Sequence, residues 1–425
     1  MSKSFYKFLI LCSGGFVASV GHGISSFGLS VYVYGQTGLA SSTTLIALLA
    51  FLPAMLLSPL AGVLADKYDR RLLMILGDGL SALGILYIYF CIQRGDVQFW
   101  QIGLGVAVSS IFTSLVEPSF RATITDLLSK EEYTKASGFV QLSGSARYLL
   151  SPAIAGLLFV LWDIRLLLII DICTIFITVL TTLVVRRGIV SKLRENKESI
   201  FKDFKNGWLA LTQNRGVFIL TAMGAAITFF IAAIQVLSTP MILSFTDSRV
   251  LGFAITICAS GMLVSSMFLG FVPLRKGVVK ILSASLFLIG LFMVVFGLRE
   301  NIILICVSGF LFFLTLPFAN TSLDYLIRTN VENEVQGRVW GLVGVASQLG
   351  YPVAYAALGL LADYVFTPLL LEGGTLAGSI GKITGVGSGR GIGLLIIVSG
   401  LLLSATAVLL YRIRSVRKLE KAHVQ

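Results

Sequence analysis

The sequence predicts an all-α membrane protein: twelve transmembrane helices in two pseudo-symmetric six-helix bundles. Three observations carry this. Of its 425 residues 56% are apolar and 13% charged, with a mean hydropathy of +0.91; soluble domains run at about 45–50% apolar and about 25% charged. Apolar stretches of about 20 residues, the length that crosses about 30 Å of hydrocarbon, recur from one end to the other. The longest polar interruption, 186–215, leaves six such stretches on either side. A water-soluble enzyme, a disordered chain and a fibrous chain are excluded together.

Taken in order, the spans run roughly 8–34, 44–65, 72–92, 99–127, 138–161, 165–185, 216–243, 250–272, 279–298, 302–327, 338–366 and 391–411. The first is far longer than the 7–15-residue core of a signal peptide and lacks a small-residue cleavage site, so it reads as a membrane helix. Residues 1–185 form an N-terminal bundle, 186–215 a linker, and 216–425 a C-terminal bundle with a basic tail. In the linker, 199–212 set Ile200, Phe204, Trp208 and Leu211 at helical spacing, with Lys202, Asp203, Lys205 and Asn206 on other faces. That pattern fits an amphipathic helix on the membrane surface and equally a soluble linker helix.

The bundles repeat one another. Pro118 is followed by Gly138 and Pro152 at offsets of 20 and 34, and Pro317 by Gly337 and Pro352 at 20 and 35. Such repeats, with substrate at their interface near the bilayer midplane, are the build of secondary transporters. The 43 glycines suit close helix packing in a membrane. Cys12, Cys91, Cys173, Cys258 and Cys306 lie in or beside apolar runs with no CxxC or Cys/His cluster. They read as small packing residues.

A net charge of +12 would suggest nucleic acid in a soluble protein. Placed on the twelve spans, 25 of the 33 Lys+Arg fall on the side of both termini. Six fall opposite (Arg94, Arg165, Arg249, Arg299, Lys382 and Arg390), and Arg121 and Arg147 lie within spans. The positive-inside rule then puts both termini in the cytoplasm of a plasma-membrane protein. The excess orients the chain, and no nucleic-acid partner is expected.

An ionised side chain near the bilayer centre costs at least about 2.5–3.5 kcal/mol, so each is a functional candidate. Glu117 and Arg147 lie roughly 15 Å and 14 Å from the cytoplasmic ends of the fourth and fifth spans, at nearly one depth. Glu117 precedes Arg121 by four, the favourable order for a same-face pair, and Pro118 permits a bend one turn earlier. Glu117, Arg121 and Arg147 therefore form a candidate buried triad. It is either a proton-coupling element that shifts helix packing or a static ion pair. His22, about 14 residues into the first span, is either a proton carrier or a hydrogen-bonded structural histidine. Asp171, read as near the outer end of the sixth span, either attracts cationic substrate or marks the interface. Asp78 and Asp324 fall near cytoplasmic ends; local pairing is expected, Asp324 with Arg328 four residues on.

Residues 373–391 contain eight glycines, including Gly385, Gly387, Gly389 and Gly391. With no Lys-Ser/Thr following and no strand before it, the run reads as a flexible extracytoplasmic loop rather than a phosphate loop. No HExxH, GxSxG or metal-ligand spacing appears. The expectation is no enzyme, no catalytic residue, no cofactor and no metal.

The turn after the second span reads Gly62-Val63-Leu64-Ala65-Asp66-Lys67-Tyr68-Asp69-Arg70-Arg71. It resembles the loop signature of the major facilitator superfamily: Gly, Asp four on, a basic residue, then a basic pair. The usual Gly seven residues after the first is Asp69 here, a departure that resembles the macrolide-efflux-type branch of drug:proton antiporters. A degraded second copy follows the eighth span as Gly270, Arg275, Lys276 and Gly277, with Leu274 in place of the Asp. The segment 117–156 resembles the same branch in Glu117-Pro118, Arg121, Gly138 and Ser151-Pro152-Ala153-Ile154-Ala155-Gly156.

The resemblance covers essentially the whole chain. It implies a cytoplasmic gate of Gly62, Asp66, Lys67, Arg70 and Arg71. There Asp66 contacts the start of the eleventh span near Gly337, and Arg70 reaches an acid at the end of the fourth, Asp126. The other reading of 66–71 is a tight basic turn that only sets topology. Ser151, Pro152 and Gly156 loosely resemble the fifth-helix motif of proton antiporters; a kinked packing helix fits as well. The implied function is proton-coupled export of lipophilic drug or macrolide-like molecules. Its expected partners are a small-molecule substrate, protons and membrane lipid, and the working unit is a monomer. The alternatives are a lipid or siderophore carrier of the same fold, or a non-transporting sensor or scaffold.

Overall fold

The computed structural model describes residues 3–129, 132–186, 208–209, 211–212, 215–271, 277–331 and 336–421. Ile200 and Phe204 of the linker, and Leu274, Arg275 and Lys276 of the second motif copy, lie outside them. Among the described residues the regular structure is helical. The first half holds α1 (Lys3–Thr37), α2 (Ala40–Lys67), α3 (Arg70–Arg94), α4 (Phe99–Thr113), α5 (Val116–Leu127), α6 (Tyr133–Leu149) and α7 (Ser151–Arg186). The second holds α8 (Arg215–Leu243), α9 (Ser248–Phe271), α10 (Val278–Leu298), α11 (Ile302–Thr329), α12 (Gln336–Gln348) and α13 (Gly350–Leu361). A π-helical turn, Ala362–Phe366, extends α13, and α14 (Ser388–Arg412) and α15 (Arg414–Lys421) follow.

Proline explains where spans break. A helical proline lacks an N–H and its ring clashes with the carbonyl four residues back. The fourth span accordingly divides at 114–115, just before Pro118, giving α4 and α5. The fifth divides at Leu150 before Pro152, and the eleventh at Leu349 before Pro352. Pro317 bends no such break into α11, which runs unbroken to Thr329. The turn between the fifth and sixth spans is unusually tight. Asp163 alone takes a left-handed φ of 72° there, and its carboxylate accepts the Ile164 N–H at 2.6 Å. Among the described residues eleven helical runs are long and apolar enough to cross a membrane, one of them, 135–186, containing both the fifth and sixth predicted spans.

The chain divides into two compact units. Unit 1 comprises Met1–Gly38, Leu45–Asn196 and Asp247–Thr256; unit 2 comprises Leu39–Thr44, Lys197–Thr246 and Ile257–Gln425. The first turn of α2 thus belongs with unit 2 and the first turns of α9 with unit 1.

In unit 1, α1 lies antiparallel along the second half of α7 on a seven-residue ladder. Gly14, Gly21 and Gly28 face Thr181, Thr174 and Leu167 so closely that a Cβ at any of the three would overlap its partner. Seven-residue spacing keeps one seam facing its partner along the whole contact, and glycine lets the backbones approach. The same device joins α3 to α4, where Gly77 and Gly84 meet Phe112 and Gly105. Two apolar cores fill this bundle. One gathers Phe5, Phe8, Leu11, Met74, Leu127 and Val185, the other Ile24, Leu29, Ile85, Ile88, Ile164 and Leu168. In unit 2, α10 and α14 repeat the ladder with Gly290 against Gly400 and Gly297 against Gly393.

Candidate functional site

Unit 1 carries a charged network at the end where α2 turns into α3. Asp69 caps α3: in extended conformation (φ −61°, ψ 110°), it accepts the Arg71 N–H at 3.1 Å. Its other oxygen accepts from Arg186 Nε, at the end of α7, at 2.7 Å. Burial alone would raise the Asp69 carboxyl, but the Arg186 and Arg71 hydrogen bonds and charges hold it below the usual carboxylate range.

Asp126, near the end of α5, accepts from Arg70 Nη1 at 2.6 Å and from Arg71 Nη2 at 3.0 Å. Arg70 also donates to the carbonyls of Ala65 and Ala122, and Asp66 lies 3.8 Å from its Nη2. Three carboxylates thus meet three guanidiniums, with Arg71 fully buried and Arg70 6% exposed. Lys67 is exposed, and a Cβ on Gly62 would meet nothing within 4 Å. The side chain of Gly337's neighbour Arg338, like that turn's other side chains, lies outside the description, so the expected Asp66 contact there is not defined. Sequence reasoning named Asp126 and Arg70 but missed Arg186. Asp69 was the available signal: an acid standing where the pattern has glycine needs a cationic partner.

A second polar cluster lies between the two apolar cores. Asp171 on α7 is fully buried and accepts from Ser25 Oγ on α1, with His22 Nδ1 3.7 Å away. Asp171 is therefore not an interfacial residue. Its neighbours are α1 side chains, because it falls on the α7 face that carries Leu167, Leu168 and Ile175 inward. Asp78, expected to pair locally near a helix end, is instead 9% exposed, and its Oδ2 meets no hydrogen-bond partner among the described residues. It shares the inward stripe of α3 with Met74, Gly77, Ser81 and Ile85, a helical period that could have revealed it.

Glu117 and Arg121 do pair, Oε1 to Nε at 2.6 Å, with side chains 66% and 71% exposed. Arg147 does not join them. Its Cγ lies against Gly23 of α1, and among the described residues no ion pair forms to it. The expected buried triad is instead an exposed pair, because α6 turns Arg147 toward α1 rather than toward α5. Ser151 Oγ donates to the Val20 carbonyl at 3.0 Å. Pro152 and Gly156 pack on Ser248 and Gly252 of α9, leaving no room for a Cβ at Gly156 or Gly252.

In unit 2, Asp324 and Arg328 pair at 3.3 Å, and the Arg328 guanidinium lies 5.4 Å over the Trp340 ring. Asp363, just past α13, accepts the Ala40 and Ser41 N–H groups at 2.9 and 2.7 Å, where a carboxylate meets the positive end of a helix. It ends Gly359-Leu360-Leu361-Ala362-Asp363, a near copy of Gly62-Val63-Leu64-Ala65-Asp66. That internal echo was the missed signal. Arg390, expected in a flexible loop, is 1% exposed in the first turn of α14 and donates to the Gly297 carbonyl at 2.8 Å. Gly385 and Gly387, at φ 95° and 145°, supply the turn that starts α14 at Ser388 rather than extending a loop.

A family model described as the Major Facilitator Superfamily matches residues 11–355. A relative named macrolide efflux protein A, from Streptococcus pyogenes, is 27% identical over 373 residues, covering 84% of this chain and 90% of that one. The Staphyloferrin A transporter of Staphylococcus aureus is 26% identical over 353 residues, covering 81% of this chain and 85% of that one. The crystal structure of the nucleoside transporter NupG matches with a TM-score of 0.73 at 13% identity, over 96% of this chain and all of that one. The chain belongs to the major facilitator superfamily: it is an integral, multi-pass membrane transporter and not an enzyme.

Proposed function

We propose that this transporter exports lipophilic small molecules of the macrolide-like class in exchange for protons, by alternating access between its two halves in the plasma membrane. The observation that carries the substrate class is the macrolide efflux relative, alignable over 84% of this chain and 90% of its own. Alternating access needs a two-state element that a ligand or ion can bias. The network of Asp66, Asp69, Arg70, Arg71, Asp126 and Arg186 suits a gate at the cytoplasmic end: its pairs join the ends of α2, α3, α5 and α7, so they break together when those ends part. The Glu117–Arg121 pair, exposed on its helix face, can release Arg121 when Glu117 takes a proton. The protein works as a monomer with both termini cytoplasmic, in contact with membrane lipid.

The test is accumulation of radiolabelled erythromycin in inverted vesicles whose respiration acidifies the interior. Accumulation that collapses when the proton gradient is discharged is expected. Its absence, with iron uptake into whole cells supplied with ferric staphyloferrin A, favours the second reading, a siderophore carrier. That reading rests on the 26% identical staphyloferrin A relative.

A further inference from the structure

Beyond the last membrane helix the chain does not run free. One extended residue, Ile413 (φ −70°, ψ 114°), turns it from α14 straight into α15. With about 3.6 residues per turn, Arg414, Arg417 and Lys418 share one face of α15, and Val416 and Leu419 share the opposite one. The apolar face is docked. Val416 and Leu419 are 0% and 6% exposed, and Leu419 fills the space that a Cβ on Gly216, at the start of α8, would take. The Leu419 carbonyl accepts from Asn330 Nδ2, just past α11, at 3.2 Å. Glu420 Oε1 accepts the Val278 N–H at 2.9 Å, where a carboxylate meets the positive end of α10. α15 is thereby fixed to three helix ends, all within unit 2.

The basic face is left open. Arg412, Arg414, Arg417 and Lys418 are exposed, and among the described residues none of them forms an ion pair. Glu420, the one acid on α15, is engaged by α10. Arg215 and Lys280, exposed at the starts of α8 and α10, add charge of the same sign. Arg417 fixes the depth of this cluster. Its Nε donates to the Tyr411 carbonyl at 2.6 Å, and its guanidinium lies 4.7 Å over the Tyr411 ring. Tyr411 is 43% exposed in the last turn of α14, the level at which aromatic side chains of membrane helices meet lipid headgroups. Arg417 therefore reaches back toward the bilayer rather than out into solvent. Its Nη1 and Nη2 meet no acceptor among the described residues, and a guanidinium edge matches the oxygens of a phosphate.

We propose that the corner between α14 and α15 binds the phosphodiester headgroup of an anionic phospholipid. Arg417 anchors it, and Arg412, Arg414 and Lys418 supply further charge. Basic clusters just past a membrane helix draw anionic lipid to the protein surface. A bound headgroup holds α15 against the ends of α8, α10 and α11. The site goes beyond the transport reading and does not depend on it.

The test uses the full-length protein in detergent, titrated with dioleoylphosphatidylglycerol, dioleoylphosphatidylcholine or inorganic phosphate. Phosphatidylglycerol is expected to raise the thermal unfolding midpoint and to slow amide exchange across Val416–Leu419. Phosphatidylcholine and inorganic phosphate are expected to do neither. Both effects are expected to be lost in the double variant Arg417→Gln, Lys418→Gln. They are expected to be kept in Arg94→Gln, Lys382→Gln, which removes the same charge from exposed positions away from α15. An unchanged lipid-free midpoint checks that each variant is folded, and the exchange measurement on the unmutated protein needs no variant. Equal stabilisation by phosphatidylcholine, the same response from both variants, or protection that spares α15 overturns the proposal. Stabilisation by inorganic phosphate alone marks an ion site and overturns the lipid assignment.

Discussion

Two acids on one helix, Glu117 and Asp126 of α5, illustrate how residue type and surroundings divide the work. Asp126 neutralises two guanidiniums that are almost wholly enclosed, so removing it strands buried charge; loss of one partner of a buried ion pair costs about 3–5 kcal/mol. Asp126→Asn is expected to lower the thermal unfolding midpoint in detergent strongly. Glu117→Gln breaks an exposed pair worth at most about 1 kcal/mol and is expected to leave that midpoint nearly unchanged. Equal midpoint shifts in the two variants would contradict this division. Asp69 adds a pH dependence. Its carboxyl is held below the ordinary range in the folded protein, so the folded state binds that proton less readily than the unfolded chain. The stabilisation is fully present above the unfolded carboxyl pKa of about 3.9 and fades as pH falls through the lower folded value. An acid unfolding profile that becomes shallower in Asp69→Asn is the expected result. Arg70 was legible because its motif is local in sequence, and Asp126 because the resemblance implies an acid at the end of the fourth span. Arg186 was not, since its partner lies more than a hundred residues away, and Asp78 was misplaced because depth was weighed before helical face.

At the scale of elements, glycine ladders distinguish what can yield from what cannot. A Cβ at Gly21 meets the Thr174 hydroxyl, a side chain that can be trimmed, whereas a Cβ at Gly84 meets the backbone carbonyl of Gly105. Overpacking costs about 1–3 kcal/mol where neighbours can shift. Gly21→Ala is therefore expected to be destabilised and then restored by Thr174→Ala in the double variant, while Gly84→Ala stays destabilised whatever side chain is trimmed nearby. The unfolding midpoints of the two singles and the double variant decide this. The helices themselves were legible from hydropathy, and their breaks at Pro118, Pro152 and Pro352 follow from proline's missing donor. The ladders were only half legible. Glycine spacing shows in the sequence, but the partner helix depends on tertiary packing, and the tight turn at Asp163 carries no glycine to announce it.

For the whole molecule, the arrangement of charge has a consequence independent of substrate. Positive residues are held on the cytoplasmic side during insertion, and on the twelve predicted spans 25 of the 33 Lys+Arg fall on the side of the 66–71 turn. Tyr68 in that turn and Ser379 between the last two spans are both exposed, and an odd number of spans separates them, so they belong on opposite faces of the membrane. In a variant with Cys12, Cys91, Cys173, Cys258 and Cys306 replaced, Ser379→Cys is expected to react with an impermeant maleimide on intact cells. Tyr68→Cys is expected to react only after the membrane is opened. Labelling in the reverse order would turn the chain over and move the Asp126 network to the outer face. There it could not gate the side from which an exporter takes up its substrate, so this labelling also bears on the direction of transport. Because Arg70, Arg71 and Arg186 belong both to the orienting charges and to the network, moving the 66–71 positives to the opposite loops should weaken both orientation and the proposed gate.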